Sequence, residues 1–173
     1  MTFEEQLKGG HPNSLGNTIA VVEQVVKQTD QFEQLFQCYY SDDEVVRLRT
    51  SNAMKRIGKE NLSLLIPYID RFLEVISKID QASTQWTLAQ LFDMLETNMS
   101  PGQREKAVTI MKDNLTNHTD WIVLTQTMNT LARWSKEDLE LRNWLLPQLE
   151  RLSADQRKSV SGRARKTRQR LED

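Results

Sequence analysis

Apolar residues recur at helical spacing along most of the chain, and this periodicity restricts the possible folds most strongly. Leu62, Leu65, Ile69, Phe72 and Ile76 form one such run, in which the apolar side chains share one face of an α-helix. No comparable period-two pattern predicts a strand. The chain is therefore predicted to be all-α. The predicted helices cover residues 14–28, 30–40, 41–57, 60–78, 83–98, 101–115, 119–134, 135–152 and 153–171.

Three capping-box sequences mark predicted helix starts. Each has a serine followed three residues later by Glu or Gln, at residues 41–44, 100–103 and 153–156. The serine hydroxyl accepts a backbone N–H of the first turn while the later side chain reaches back. Residues 1–13 contain a Gly-Gly-His-Pro break and are predicted to be a loose segment.

The second helix of each predicted pair begins near Ser41, Ser83, Thr119 or Ser153, at intervals of 42, 36 and 34 residues. Self-similarity at such intervals is typical of helical repeat proteins. One repeat contains Asp43-Glu-Val-Val-Arg47, later followed by Ala-Met and Ile. The segments 64–69 and 145–149 both carry a proline after a Leu-rich stretch, and these prolines are 80 residues apart.

These motifs resemble the HEAT-repeat family, the armadillo/HEAT-like α-solenoids, in its small bacterial form. The resemblance implies a right-handed α-α superhelix of about four helix pairs plus an N-terminal capping helix. It implies one domain over residues 1–173, with second helices lining the concave face. The repeats are expected at about 30–57, 60–98, 100–134 and 135–171.

Cysteine content and hydropathy predict a cytoplasmic location. Cys38 is the only cysteine, so no internal disulfide can form. No stretch approaches the roughly 18 apolar residues that span a bilayer, and residues 1–30 lack a basic start followed by an apolar run. We therefore expect no membrane partner.

The residues that usually perform catalysis are scarce. The two histidines, His11 and His118, are far apart in sequence and do not form a metal-ligand pattern with Cys38. No phosphate-binding glycine loop is present. We therefore predict no catalytic, metal-binding or cofactor-binding residues and no enzymatic activity.

Trp86 and Trp121 both fall near the start of a second helix and are candidate partner-binding residues. They could bind a peptide or stack on bases if they point into the groove. The alternative interpretation, which we prefer, is that they pack between repeats.

The C-terminal segment is strongly basic. Residues 151–170 contain eight Lys or Arg and one acidic residue. At 100° per residue, Arg157, Lys158, Arg165 and Arg168 lie within an arc of about 100°. These four are predicted to contact phosphates or an acidic partner, or else to form a solvated end of the domain.

The favoured function is a non-catalytic scaffold that binds a protein partner of unknown identity on the concave face. The alternative is a nucleic-acid-binding protein related to the HEAT-like DNA-alkylation glycosylases, which use Trp, Asp and Arg at a basic groove. By residue type, Trp121, Asp120 and Arg133 are the candidates for those roles. A third possibility, an accessory role in pigment attachment, has only the fold in its favour.

Overall fold

The computed structural model covers residues 1–173 and is entirely helical, which confirms the all-α prediction. Helices contain 79% of the residues, and there are no strands. None of the helices is long and apolar enough to cross a bilayer. The α-helices are α1 (Phe3–Leu7), α2 (Thr18–Lys27), α3 (Phe32–Phe36), α4 (Glu44–Glu60), α5 (Ile69–Glu74), α6 (Ala82–Leu95), α7 (Pro101–Asn117), α8 (Trp121–Trp134), α9 (Leu139–Leu152) and α10 (Lys158–Glu172).

The chain divides into two compact units. Unit 1 is Met1–Met99 and contains α1 to α6, while unit 2 is Ser100–Asp173 and contains α7 to α10. In unit 1, α4 packs against α1, α2 and α6. In unit 2, α8 packs against α7, α9 and α10, and α9 also packs against α10. The single domain inferred from the HEAT resemblance stays a prediction.

The capping box at Ser100 is confirmed, but those at Ser41 and Ser153 are wrong. Ser100 accepts the Gln103 N–H, and Pro101 occupies the first helical position. The start of α4 is capped by Asp43, whose carboxylate accepts two backbone N–H groups. Ser153 ends α9, where its hydroxyl donates to the Leu149 carbonyl. Serine can satisfy backbone groups at either end of a helix, so the motif alone does not fix its position.

The predicted helix over 60–78 is broken around Pro67. The structure has 3-10 turns at Leu62–Leu64, Ile66–Tyr68 and Ile76–Lys78, with only α5 in α-helical form. Pro67 cannot donate the backbone hydrogen bond that an α-helix requires at this point. The Ile and Tyr residues that flank Pro67 are weaker helix formers than the Leu and Gln residues around Pro147, which lies inside α9.

The N-terminal segment, predicted to be loose, is instead anchored to α4. Phe3 and Leu7 are buried, and Thr2 and Glu5 form a capping box at the start of α1. Arg49, on α4, is only 2% exposed. Its guanidinium donates to four backbone carbonyls of the segment that precedes α2, at Leu7 (2.7 Å), Gly9 (2.6 Å), His11 (3.2 Å) and Ser14 (3.2 Å). Arg49 interacts with no carboxylate, so no charge pattern in the sequence predicts this anchor.

A second polar cluster joins α3 to α5 in unit 1. Arg71 lies 2.7 Å from a Glu33 carboxylate oxygen, and the Tyr68 hydroxyl donates to the same oxygen at 2.6 Å. The Arg71 guanidinium also stacks 4.2 Å from the centre of the Phe36 ring. The hydrogen bonds from Arg71 and Tyr68 lower the pKa of Glu33 to about 2.

Removal of the Arg49 anchor should destabilise unit 1. Arg49→Met removes the donor for four carbonyls and should cost about 2–4 kcal/mol in urea unfolding, because the Leu7 carbonyl is left buried and unsatisfied and the segment loses its other three hydrogen bonds to α4. Gly16→Ala should also destabilise. Gly16 has φ +51°, and an added Cβ would lie 2.9 Å from the Arg49 guanidinium.

Gly102→Ala is the matched control, because an added Cβ at Gly102 has no heavy atom within 4 Å. This variant should be as stable as the wild type or slightly more stable. Hydrogen exchange at residues 8–16 should accelerate in Arg49→Met and not in Gly102→Ala. Unchanged exchange in Arg49→Met would contradict the anchoring role.

The Glu33 cluster predicts a pH dependence of stability. Since the folded pKa of Glu33, about 2, is below its ordinary value of 4.5, the carboxylate stabilises the fold above about pH 4.5. That contribution is lost as the pH falls from 4.5 towards 2. Glu33→Gln should flatten this part of a stability profile measured by urea unfolding. Glu23→Gln, at an exposed residue without an ion pair, should retain the wild-type profile.

Candidate partner-binding surface

Trp121 is exposed at the start of α8. Its neighbour Asp120 caps the helix by accepting the N–H groups of Ile122 and Val123 at 2.8 and 3.1 Å. Leu124 and Met128 continue the same helical face and are buried. Trp121 is nevertheless 48% exposed, because it lies in the first turn of α8. The preferred packing interpretation therefore does not describe Trp121.

Arg157 connects the start of α10 to the start of α8. Its guanidinium donates to both carboxylate oxygens of Asp155, at 3.0 and 2.9 Å, and to the Thr119 carbonyl. The pKa of Asp155 is lowered to about 2 by the hydrogen bonds from Arg157. Thr119 is two residues before Trp121, so the structure brings the candidates Trp121 and Arg157 to the same end of unit 2.

The remaining cations of α10 fall into two groups. Arg168 pairs with Glu172 at 3.0 Å, and Arg165 donates to the Ser153 carbonyl at 3.3 Å. The second group makes no ion pair or side-chain hydrogen bond and is exposed; it consists of Lys158, Arg163, Lys166 and Arg170. Only Lys158 belongs to both this group and the four residues selected from the sequence.

Three of the unpaired cations form a stripe on α10. Arg163, Lys166 and Arg170 have the spacing i, i+3, i+7, which places them within an arc of about 60°. The buried face of α10 is formed by other residues, Val160, Ser161, Ala164 and Thr167. The helical spacing of these cations was visible in the sequence, but the absence of acidic partners from neighbouring helices was not.

Trp86 belongs to unit 1 and is half-buried on α6. Two other tryptophans contact cations within unit 2. The Arg104 guanidinium lies 5.1 Å from the Trp134 ring centre, and the Lys112 ammonium lies 4.9 Å from that of Trp144. These contacts favour a packing role for Trp134 and Trp144.

The resemblance to DNA-alkylation glycosylases suggested Asp120, Trp121 and Arg133, and these three residues do not form one cluster. Asp120 and Arg133 lie near opposite ends of α8, about 20 Å apart along the helix axis. The Asp120 carboxylate is engaged in capping.

Cys38, His11 and His118 are not arranged to act together in catalysis. Burial raises the pKa of the Cys38 thiol to about 11, which keeps it protonated at neutral pH. His11 and His118 each accept a backbone N–H two residues further along, at Asn13 and Asp120. No group of three or more His, Cys, Asp or Glu residues is placed to hold a metal ion.

Comparison with protein-family models and with curated proteins finds no match to this chain.

Proposed function

We propose that this protein is a HEAT-like, non-catalytic scaffold that binds a protein partner. The helix contacts within each unit support the repeat interpretation. Helices α4 and α6, the second members of successive predicted pairs, pack together in unit 1, as α8 and α10 do in unit 2. In a stack of helix pairs, the second helix of one pair packs against the second helix of the next pair. Contact between helices that are separated by one intervening helix is therefore expected.

The observation that carries the proposal is the half-exposed indole of Trp121 on a fixed helix start. Tryptophan is enriched among the residues that contribute most to protein–protein binding, because it buries a large apolar area with few rotatable bonds. Asp120 fixes the first turn of α8, and Arg157 holds the adjoining segment through the Thr119 carbonyl. A partner would therefore meet an indole on an ordered backbone, and little backbone conformational entropy would be lost on binding.

Trp121→Ala should reduce partner binding without unfolding the protein. Affinity purification from the native cell, with quantitative mass spectrometry, should find a protein retained by the wild type and reduced about tenfold or more with Trp121→Ala. Leu139→Ala is the matched control, since Leu139 is 68% exposed at the first residue of α9. Its expected binding is that of the wild type. If the wild type, Trp121→Ala and Leu139→Ala all retain the same proteins in equal amounts, the proposed role of Trp121 is wrong.

Nucleic-acid binding is the second candidate, and the unpaired stripe of Arg163, Lys166 and Arg170 favours it. Cations without internal partners can contact phosphates directly, and such binding releases counterions. It should therefore be weak, tolerant of sequence and strongly dependent on salt. This candidate uses the stripe instead of the set Arg157, Lys158, Arg165 and Arg168, because Arg157 and Arg168 already form ion pairs.

Charge reversal of the stripe tests this second candidate. In gel-shift titrations at low salt, R163E/K166E/R170E should abolish binding to duplex or single-stranded DNA. K27E/K55E/K59E reverses the same number of charges in unit 1 and should leave binding unchanged. If the wild-type protein causes no gel shift at low salt, nucleic-acid binding is eliminated. If both variants lose binding equally, the stripe is not the binding site.

A further inference from the structure

A groove between α2 and α4 in unit 1 has an apolar floor. Ile19, Val22 and Val26 follow one face of α2 at spacing i, i+3, i+7, and the groove has a volume of about 600 Å³. Ile19 is 39% exposed and Val26 is half-buried, whereas Val22 between them is only 7% exposed. The uncovered apolar surface of the floor therefore comes from Ile19 and Val26, two turns apart on α2.

Four cations line this groove, and they are Lys27, Lys55, Arg56 and Lys59. None of them forms an ion pair; Arg56 donates to the side chain of Asn52 at 2.6 Å. Two acidic residues, Glu23 and Glu60, also line the groove, but they pair with no cation. The formal charge of the lining is thus +2 from four cations and two anions.

This concentration of positive charge is unusual within unit 1. Residues 1–99 contain 9 basic and 14 acidic side chains, and four of the nine basic ones line the groove. The other basic side chains are mostly engaged elsewhere in unit 1: Lys8 with Glu4, Arg71 with Glu33, and Arg47 and Arg49 with uncharged acceptors. The net charge of unit 1 is −5, so the groove is a positive site on a negative unit.

Helix dipoles account for only part of this arrangement. Lys27 and Lys59 lie in the last turns of α2 and α4, where a cation is stabilised by the carbonyl end of the helix. Lys55 and Arg56 lie about one turn earlier and are half-buried. Burial and the adjacent Lys59 and Arg56 lower the pKa of Lys55, as expected for a cation without a counter-charge.

We infer that this groove binds an acidic amphipathic helix of a partner protein. Apolar residues of that helix would cover Ile19 and Val26, while its Asp or Glu side chains would pair with Lys27, Lys55, Arg56 and Lys59. Apolar anchors at helical spacing with charged flanks are the usual features of helix-in-groove recognition. The site is additional to the Trp121 surface, and its occupant is specified by charge complementarity.

The test is a fluorescence anisotropy titration of the full chain with a labelled peptide of about four helical turns, with leucines along one face and glutamates beside them. The peptide should bind at low salt, and binding should weaken as salt is added. A peptide with lysine in place of every glutamate should not bind. K55E/K59E should weaken binding at least about tenfold. Ile19→Ser should weaken it as well, since it removes part of the floor.

Two control variants locate the binding site. R163E/K166E/R170E and Trp121→Ala, both in unit 2, should retain wild-type affinity for the acidic peptide. Full binding by K55E/K59E, or loss of binding only in R163E/K166E/R170E, would overturn the inference. Tighter binding of oleate than of the peptide, lost in K55E/K59E, would instead identify a site for anionic lipids. Circular dichroism melts of each variant should match the wild type, so that a loss of binding is not attributed to unfolding.

Discussion

The Arg49 guanidinium holds the segment before α2 against α4, although it interacts with no carboxylate. A buried charge is costly unless its donors are satisfied, and here four backbone carbonyls satisfy them. Those carbonyls converge because Gly9, Gly10 and Gly16 adopt positive φ. Since α4 also packs against α2 and α6, this contact connects the N-terminal segment to the central helix of unit 1.

The positions of most helices could be predicted because apolar spacing reports which face of a helix is buried. Leu65, Phe72 and Ile76, which the spacing placed on one apolar face, are fully buried. Helix starts were less predictable, since the hydroxyl of Ser153 can satisfy a carbonyl at the end of α9 as readily as an N–H at the start of α10. The Arg49 anchor depends on backbone carbonyls, which are the same for every residue and leave no pattern in the sequence.

The candidate surfaces were only partly predictable for a related reason. Sequence spacing gives the direction of a side chain around a helix, but not whether another element covers it. Trp121 shares a face with Leu124 and Met128, and only its place in the first turn leaves it exposed. Likewise, the cations of α10 are alike in the sequence, yet Arg157 and Arg168 pair with Asp155 and Glu172 while Arg163 and Lys166 do not. These two pairs are local, two and four residues apart in sequence, so their spacing could indicate them. Whether another helix supplies a carboxylate to Arg163 or Lys166 is decided by the tertiary fold.

The two groups of unpaired cations differ in the surface that surrounds them, and this difference indicates different ligands. The stripe on α10 lies on a polar helix face, so its contribution to binding would be mainly coulombic and reduced by salt. In the groove of unit 1, Lys55 and Arg56 are half-buried beside Ile19 and Val26, so a bound helix would gain apolar burial as well as ion pairs. Apolar contact persists at high salt, and the groove therefore has the more suitable chemistry for stable attachment of a protein segment.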